Sequence, residues 1–153
     1  MNKIFFIVFQ FFVLSLFSQT RVNQNKLEEK DGLKYYDSNL FTGVSFRLFP
    51  DGELEFESEL KDGKPNGVIK KWYQTGRLKS EWYYEDGLSH GLHKCYFENG
   101  ELKEKFNYKN GRQDGIQRIW QKNGSIKQES NYDNGKLLNK KCWDKSGNKI
   151  DCG

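Results

Sequence analysis

Imidazole and thiol groups at His90, His93 and Cys95 make the first place in this chain where side-chain chemistry suggests a metal site. The series H-x-x-H-x-C offers nitrogen and sulfur ligands of the kind zinc takes. A structural zinc site needs four that converge, and a catalytic one needs three plus an open position. His90 stands where similar stretches carry Asn66 and Asp114, and His93 where they carry Ile69 and Gln117. Equivalent stretches do without the ligands, so no metal is expected. The acidic series Glu53, Glu55, Glu57 and Glu59 would set carboxylates ~6.5–7 Å apart on one side of a strand, a spacing compatible with glycoside cleavage. Nothing apolar surrounds them to raise one pKa, so a hydrated face is expected, with Lys71 as an exposed partner for Glu57. Asp86, Ser89 and His90 share one loop that has neither a helix nor an oxyanion donor. No nucleophile elbow, Walker loop, dinucleotide fingerprint or HExxH series occurs. No catalytic residue and no cofactor is expected; the chain is read as a binder, not an enzyme.

Aromatic residues carry the binding chemistry. Phe49, Tyr73 and Phe97 recur beside turn sequences, with Tyr83 further along. Aromatics exposed in a row anchor protein partners or stack on sugar rings and choline-like cations. The alternative is that sheet curvature or the turn residues cover them. These four are the candidate partner-binding residues.

The elements that position them follow a ruler. Gly43, Gly67, Gly91 and Gly115 are spaced by 24 residues, as are Gly52, Gly76, Gly100 and Gly124, and again Gly63, Gly87, Gly111 and Gly135. A fixed period of this length marks a repeat architecture, in which each unit contacts its neighbours. Within a unit the apolar residues alternate, as in Val44, Phe46 and Leu48 and then Leu54, Phe56 and Leu60. Period-two alternation predicts strands. Between them, Pro50, Asp51 and Gly52 suit a three-residue hairpin loop. The connections between units, such as KDGKPNG, read as slightly longer. The spacing therefore predicts an all-β fold: an elongated single antiparallel sheet of tandem 24-residue β-hairpins with about eleven strands. Four rows are expected on one side: Val44/Val68/Leu92/Ile116, Leu48/Trp72/Tyr96/Trp120, Leu54/Leu78/Leu102/Ile126 and Leu60/Tyr84/Tyr108/Tyr132. Charged rows through Glu55 and Glu57 are expected on the other.

Organisation follows the same ruler: residues 1–20 as a signal peptide, 21–42 as an N-terminal partial repeat, 43–138 as four full repeats and 139–153 as a truncated capping repeat. Lys3 precedes the apolar run Ile4 to Phe17, which is shorter than the ~18–20 residues that cross a bilayer. Cleavage near Ser18 or Gln19 is expected, with retention as an anchor as the alternative. Export to the periplasm, the outer surface or the medium follows. Without those residues 24 basic and 21 acidic groups remain, locally alternating. Nucleic-acid binding has no electrostatic footprint in such a pattern. An oxidising compartment lets disulfides persist, and Cys142 with Cys152 is the expected pair.

The stretch GRLKSEWYYEDG, from Gly76 to Gly87, and its near match GELKEKFNYKNG, from Gly100 to Gly111, resemble the variant MORN repeat, over roughly residues 31 to 153. That resemblance implies a protein partner: a toxin, if the chain is like the YwqK-type antitoxins of this group, or an envelope protein for a scaffold. It also implies a membrane surface, and the aromatic hairpins, similar to the repeats of choline-binding modules, make an envelope glycan or lipid headgroup the alternative class. Glu55, Lys105 and Ile126 depart from the pattern, and the last unit lacks one residue.

Overall fold

A computed structural model describes residues 19–153, so the signal-peptide reading of residues 1–20 falls almost wholly outside the described residues. Among the described residues fifteen strands form. The first part of the chain gives β1 (Arg21–Asn23), β2 (Glu28–Lys30), β3 (Leu33–Tyr36) and β4 (Asn39–Leu40). The repeats give β5 (Gly43–Leu48), β6 (Leu54–Lys61), β7 (Lys64–Trp72), β8 (Leu78–Glu85), β9 (Leu88–Tyr96), β10 (Leu102–Lys109), β11 (Arg112–Gln113), β12 (Gly115–Trp120) and β13 (Ile126–Asp133). β14 (Lys136–Trp143) and β15 (Lys149–Ile150) close the chain. Twelve strands make one long sheet in chain order from β5 onward, antiparallel except where β1 runs parallel to β5.

Each unit turns twice, by two different devices. At the hairpin tip, the amide of Phe49 donates to the carbonyl of Glu53 and that of Gly52 to Phe49, enclosing a three-residue loop whose Gly52 has φ of 91°. Between units, the connection is tighter than its sequence length suggests. Lys61 faces Lys64, and both residues between them, Asp62 and Gly63, have positive φ, 49° and 77°. This is the type I′ geometry that Asx-Gly pairs favour. Asp86–Gly87, Asn110–Gly111 and Asn134–Gly135 repeat it.

The hairpin tip also shifts the register by one residue: Arg47 faces Phe56, but Leu48 faces Leu54. The same bulge recurs at Lys71/Trp72, Leu102/Glu104 and Ile119/Trp120. Because side chains alternate along a strand, one extra residue moves everything beyond it to the other face. The expectation of four apolar rows on one side is corrected by this. Leu48, Leu54 and Val44 share an open face with their equivalents, while Leu60, Tyr84, Tyr108 and Tyr132 lie on the opposite, tighter one. The charged row through Glu57 joins the open face as well. It runs Glu57, Lys70, Glu81, Lys94, Lys105, Arg118, Glu129, Lys141 across facing strands. Glu57 pairs with Arg21 at 2.7 Å, and Lys71 lies over the Trp82 ring instead of meeting Glu57.

The tight face holds nearly all the buried repeat side chains: Ser45, Ser58, Ser80, His93, Gln117 and Ser130, each under 9 % exposed. Small residues there let bulky neighbours lean over them, so a thin sheet buries area without a second layer. The N-terminal segment closes one end differently from the expected added hairpin. β2, β3 and β4 form their own sheet, docked on the first connection through Lys34 amide to Gly63 carbonyl and Gly63 amide to Phe41 carbonyl. Val22, Phe41 and Leu60 pack there as a small core flanked by Leu27 and Tyr36.

Candidate binding margin

Phe49, Tyr73 and Phe97 stand at the hairpin tips, one residue beyond the strand end, half-buried on the margin of the tight face. Each sits beside the bulge residue of its own unit: Glu55, Lys79 and Lys103. Tyr73 is held from two sides: its Oη donates to the Tyr96 carbonyl at 2.8 Å, and Lys79 Nζ lies 5.4 Å from its ring centre. The tips are tied to one another across a whole repeat. Gln74 donates to Asp51 at 3.0 Å, Arg77 to the Glu98 carbonyl at 3.0 Å, and Gln121 to the Asp144 carbonyl at 2.6 Å. Gln74 and the Glu53 amide hold the Asp51 carboxyl below its usual range. The margin is thus pre-shaped, and its aromatics are partly engaged yet still reachable.

Tyr83 is separated from these three. It faces Val68 on the open face, 41 % exposed, with His90 edge-on to its ring at 6.2 Å. The two-fold alternation that links Tyr83 to Tyr73 in sequence is broken by the bulge between them.

Charge changes along the margin. At the first unit Arg47 grips Glu55 by two bonds, 2.7 and 2.9 Å, which holds that carboxyl below its ordinary range. From the second unit on, the bulge position carries Lys79, Lys103 and Lys127. Hollows between the tips measure about 200 Å³ at Phe49 and Tyr73 and about 170 Å³ between Tyr73 and Tyr96. A larger one, about 850 Å³, opens at the C-terminal end. Phe97, Ile119, Trp120, Trp143 and Ile150 line it, with Lys103, Lys122, Lys127 and Lys145 around them.

A disulfide between Cys142 and Cys152, with Cα atoms 5.4 Å apart, holds this wall. Cys142 faces Ile150, so the bridge clamps β15 against β14 and sets Ile150 at the hollow. Trp143 occupies the position of Trp120 once the missing residue of the last unit is allowed for. Sequence reasoning passed over this hollow because its floor comes from units read separately.

The His/Cys series does not converge. His93 and Cys95 share the tight face, whereas His90 lies on the open side against Tyr83 and 3.2 Å from Glu85. His93 is packed by Trp82, Tyr84 and Tyr108, with ring centres 5.8, 5.4 and 4.4 Å away. Burial pushes the half-buried Cys95 thiol up, away from its reactive thiolate form. The acidic series is dispersed too: Glu55 is taken by Arg47, Glu57 by Arg21, and Glu59 accepts from the Val68 amide at 3.3 Å.

The family model described as MORN repeat variant matches residues 65–87, 89–110 and 113–134. Residues 65–134 thus carry three consecutive MORN variant repeats. The matched segments run through β7 to β13, so the tips bearing Tyr73, Phe97 and Gln121 all lie inside MORN variant units. No curated protein and no solved structure matches the chain. MORN repeats mediate protein or membrane-lipid interactions, and the margin has the reachable aromatics and preset loops that such a role needs.

Proposed function

We propose that this chain is an exported protein-binding module that captures its partner along the aromatic margin of the tight face. One observation carries the reading. The hairpin tips are fixed to one another one repeat apart, so Phe49, Tyr73 and Phe97 form a preordered row requiring little ordering on contact. Preorganisation of this kind lowers the entropic cost of association. A toxin to be neutralised and an envelope protein to be scaffolded are the two partner types that suit it. Export through residues 1–20 would place either outside the cytoplasm.

The test is capture from native extract by the full chain, compared with a Tyr73→Ala/Phe97→Ala variant. Capture of a discrete protein by the native chain, lost in a variant whose circular dichroism is unchanged, supports the reading. Equal capture by both defeats it.

The lysines around the C-terminal hollow favour a second reading, binding of an anionic lipid headgroup or envelope glycan. Sedimentation with liposomes or purified cell-wall material separates the two, since a protein binder is not retained there.

A further inference from the structure

The C-terminal hollow differs from the rest of the margin in size, in floor and in charge. At about 850 Å³ it falls within the ~300–1,000 Å³ of pockets that enclose a drug-sized ligand, far beyond what one side chain fills. Its floor is apolar, built from Ile119, Trp143 and Ile150, and Ile150 is 48 % exposed.

Of the two acids in the lining, one is ion-paired and the other is held by neutral donors. Glu104 is bridged to Lys103 at 3.2 Å. The Asp144 carboxylate accepts from the Ser146 and Asn148 amides at 2.8 and 2.9 Å and from the Asn148 side chain at 3.2 Å. Lys122, Lys127 and Lys145 have no acidic partner among the described residues. An apolar floor is thus ringed by three lysines that form no ion pair among the described residues, against a single lining carboxylate, Asp144, that is itself outside an ion pair.

The neighbouring hollows differ in size. The one at Phe49 and Tyr73 holds the Arg47–Glu55 pair beside Lys71 and Lys79, and the one between Tyr73 and Tyr96 is lined by Lys71, Lys79 and Lys103, but at about 200 and 170 Å³ both fall short of the ~300 Å³ that encloses a ligand. The one of about 220 Å³ beside Trp82 and Phe106 has His93 and Cys95 in its wall and no lysine.

We propose that this hollow is the docking site for an acidic peptide segment of the partner, carrying an aromatic or large apolar residue that seats on Ile119, Trp143 and Ile150. Acidic residues flanking that anchor meet Lys122, Lys127 and Lys145. Complementary charge of this kind raises the association rate and selects against basic segments. This proposal rests on the protein-binding reading above and names the chemistry of its partner.

Its test uses the full, disulfide-bonded chain and defined probes. These are a labelled decapeptide of acidic residues around two tryptophans, the same peptide with lysines replacing the acids, the acidic peptide with alanines replacing the tryptophans, and phosphatidylglycerol vesicles. Fluorescence anisotropy is expected to show at least tenfold tighter binding of the acidic tryptophan peptide than of either control. Lys122→Glu/Lys127→Glu/Lys145→Glu should lose at least tenfold for that peptide and gain for the lysine peptide, with circular dichroism unchanged. Ile150→Ala should weaken the acidic peptide several-fold. Equal binding of the acidic and lysine peptides overturns the proposal, as does indifference to the triple reversal. Retention on vesicles without peptide binding also overturns it, in favour of a lipid. If the triple variant still captures the protein that the native chain takes from extract, the docking site falls and the protein-binding reading stands. If the native chain captures no protein, that reading falls.

Discussion

The imidazole of His93 donates from Nε2 to the backbone carbonyl of Tyr83, 2.8 Å away on the neighbouring strand. One repeat later, Gln117 makes the equivalent contact. Its Nε2 donates to the Asn107 carbonyl at 2.9 Å, while its Oε1 accepts from the Asn107 amide at 2.7 Å. The position therefore works as a side-chain rivet that closes the gap where the ladder skips between units, and the repeats fill it with different chemistry.

A pH dependence follows. Burial lowers the His93 pKa from its ordinary value near 6.5, and the Tyr83 bond only partly offsets this. The folded chain then binds fewer protons than the unfolded one near pH 6. Its contribution to stability is complete above the ordinary histidine range and is lost as pH falls through the depressed value. Urea midpoints at pH 7.5 and pH 5 should show this decline. His93→Gln, which places the Gln117 side chain in the same role, should flatten it. The carboxylates held low, such as Asp144 and Asp51, lose their contribution only at still lower pH.

Lys105 faces Lys94 on one side and Arg118 on the other, in a row where the other repeats place Glu57, Glu81 and Glu129. Like charges directly opposite in a sheet are unfavourable by a few tenths of a kcal/mol up to about 1. Lys105→Glu should raise the thermal midpoint, and the gain should shrink in high salt.

Gly67 has φ of 119°, and a Cβ there would come within 2.9 Å of the Glu59 Cβ. At Gly76, φ is 76° and nothing lies within 4 Å. Both changes to alanine carry a backbone cost of about 1–3 kcal/mol, but only Gly67→Ala adds a collision. Denaturant titration should rank Gly67→Ala as the worse of the two.

Replacing Cys142 and Cys152 by Ser should cost about 2–3 kcal/mol, the order expected for opening a loop of this length. The loss should be local. Hydrogen exchange should quicken at Cys142 and Trp143, which pair with β15, while β5 to β9 keep their protection.

Much of this fold was legible from spacing alone: the strands, the three-residue tips at Gly52 and its equivalents, and the tip positions of Phe49, Tyr73 and Phe97. The bulge was not. Leu54, Phe56 and Leu60 are all even-numbered and apolar, so the alternation looks continuous although Glu55 interrupts the ladder. Asp62–Gly63 was the stronger clue overlooked, since an Asx-Gly pair between apolar runs favours a two-residue turn. The C-terminal hollow stayed hidden because its floor joins Ile119 to Trp143 and Ile150 across strands, and the missing residue of the last unit puts Trp143 out of step with Trp120.

Every tie between hairpin tips reaches one repeat and no further: Gln74 to Asp51, Arg77 to Glu98, Gln121 to Asp144. An internal stretch such as residues 67–90 can therefore be excised or copied at matching glycines, and the new seam meets the same kind of neighbour as the old. Length in this molecule is a modular variable. The lysine-ringed end would be carried intact on a shorter or longer ribbon.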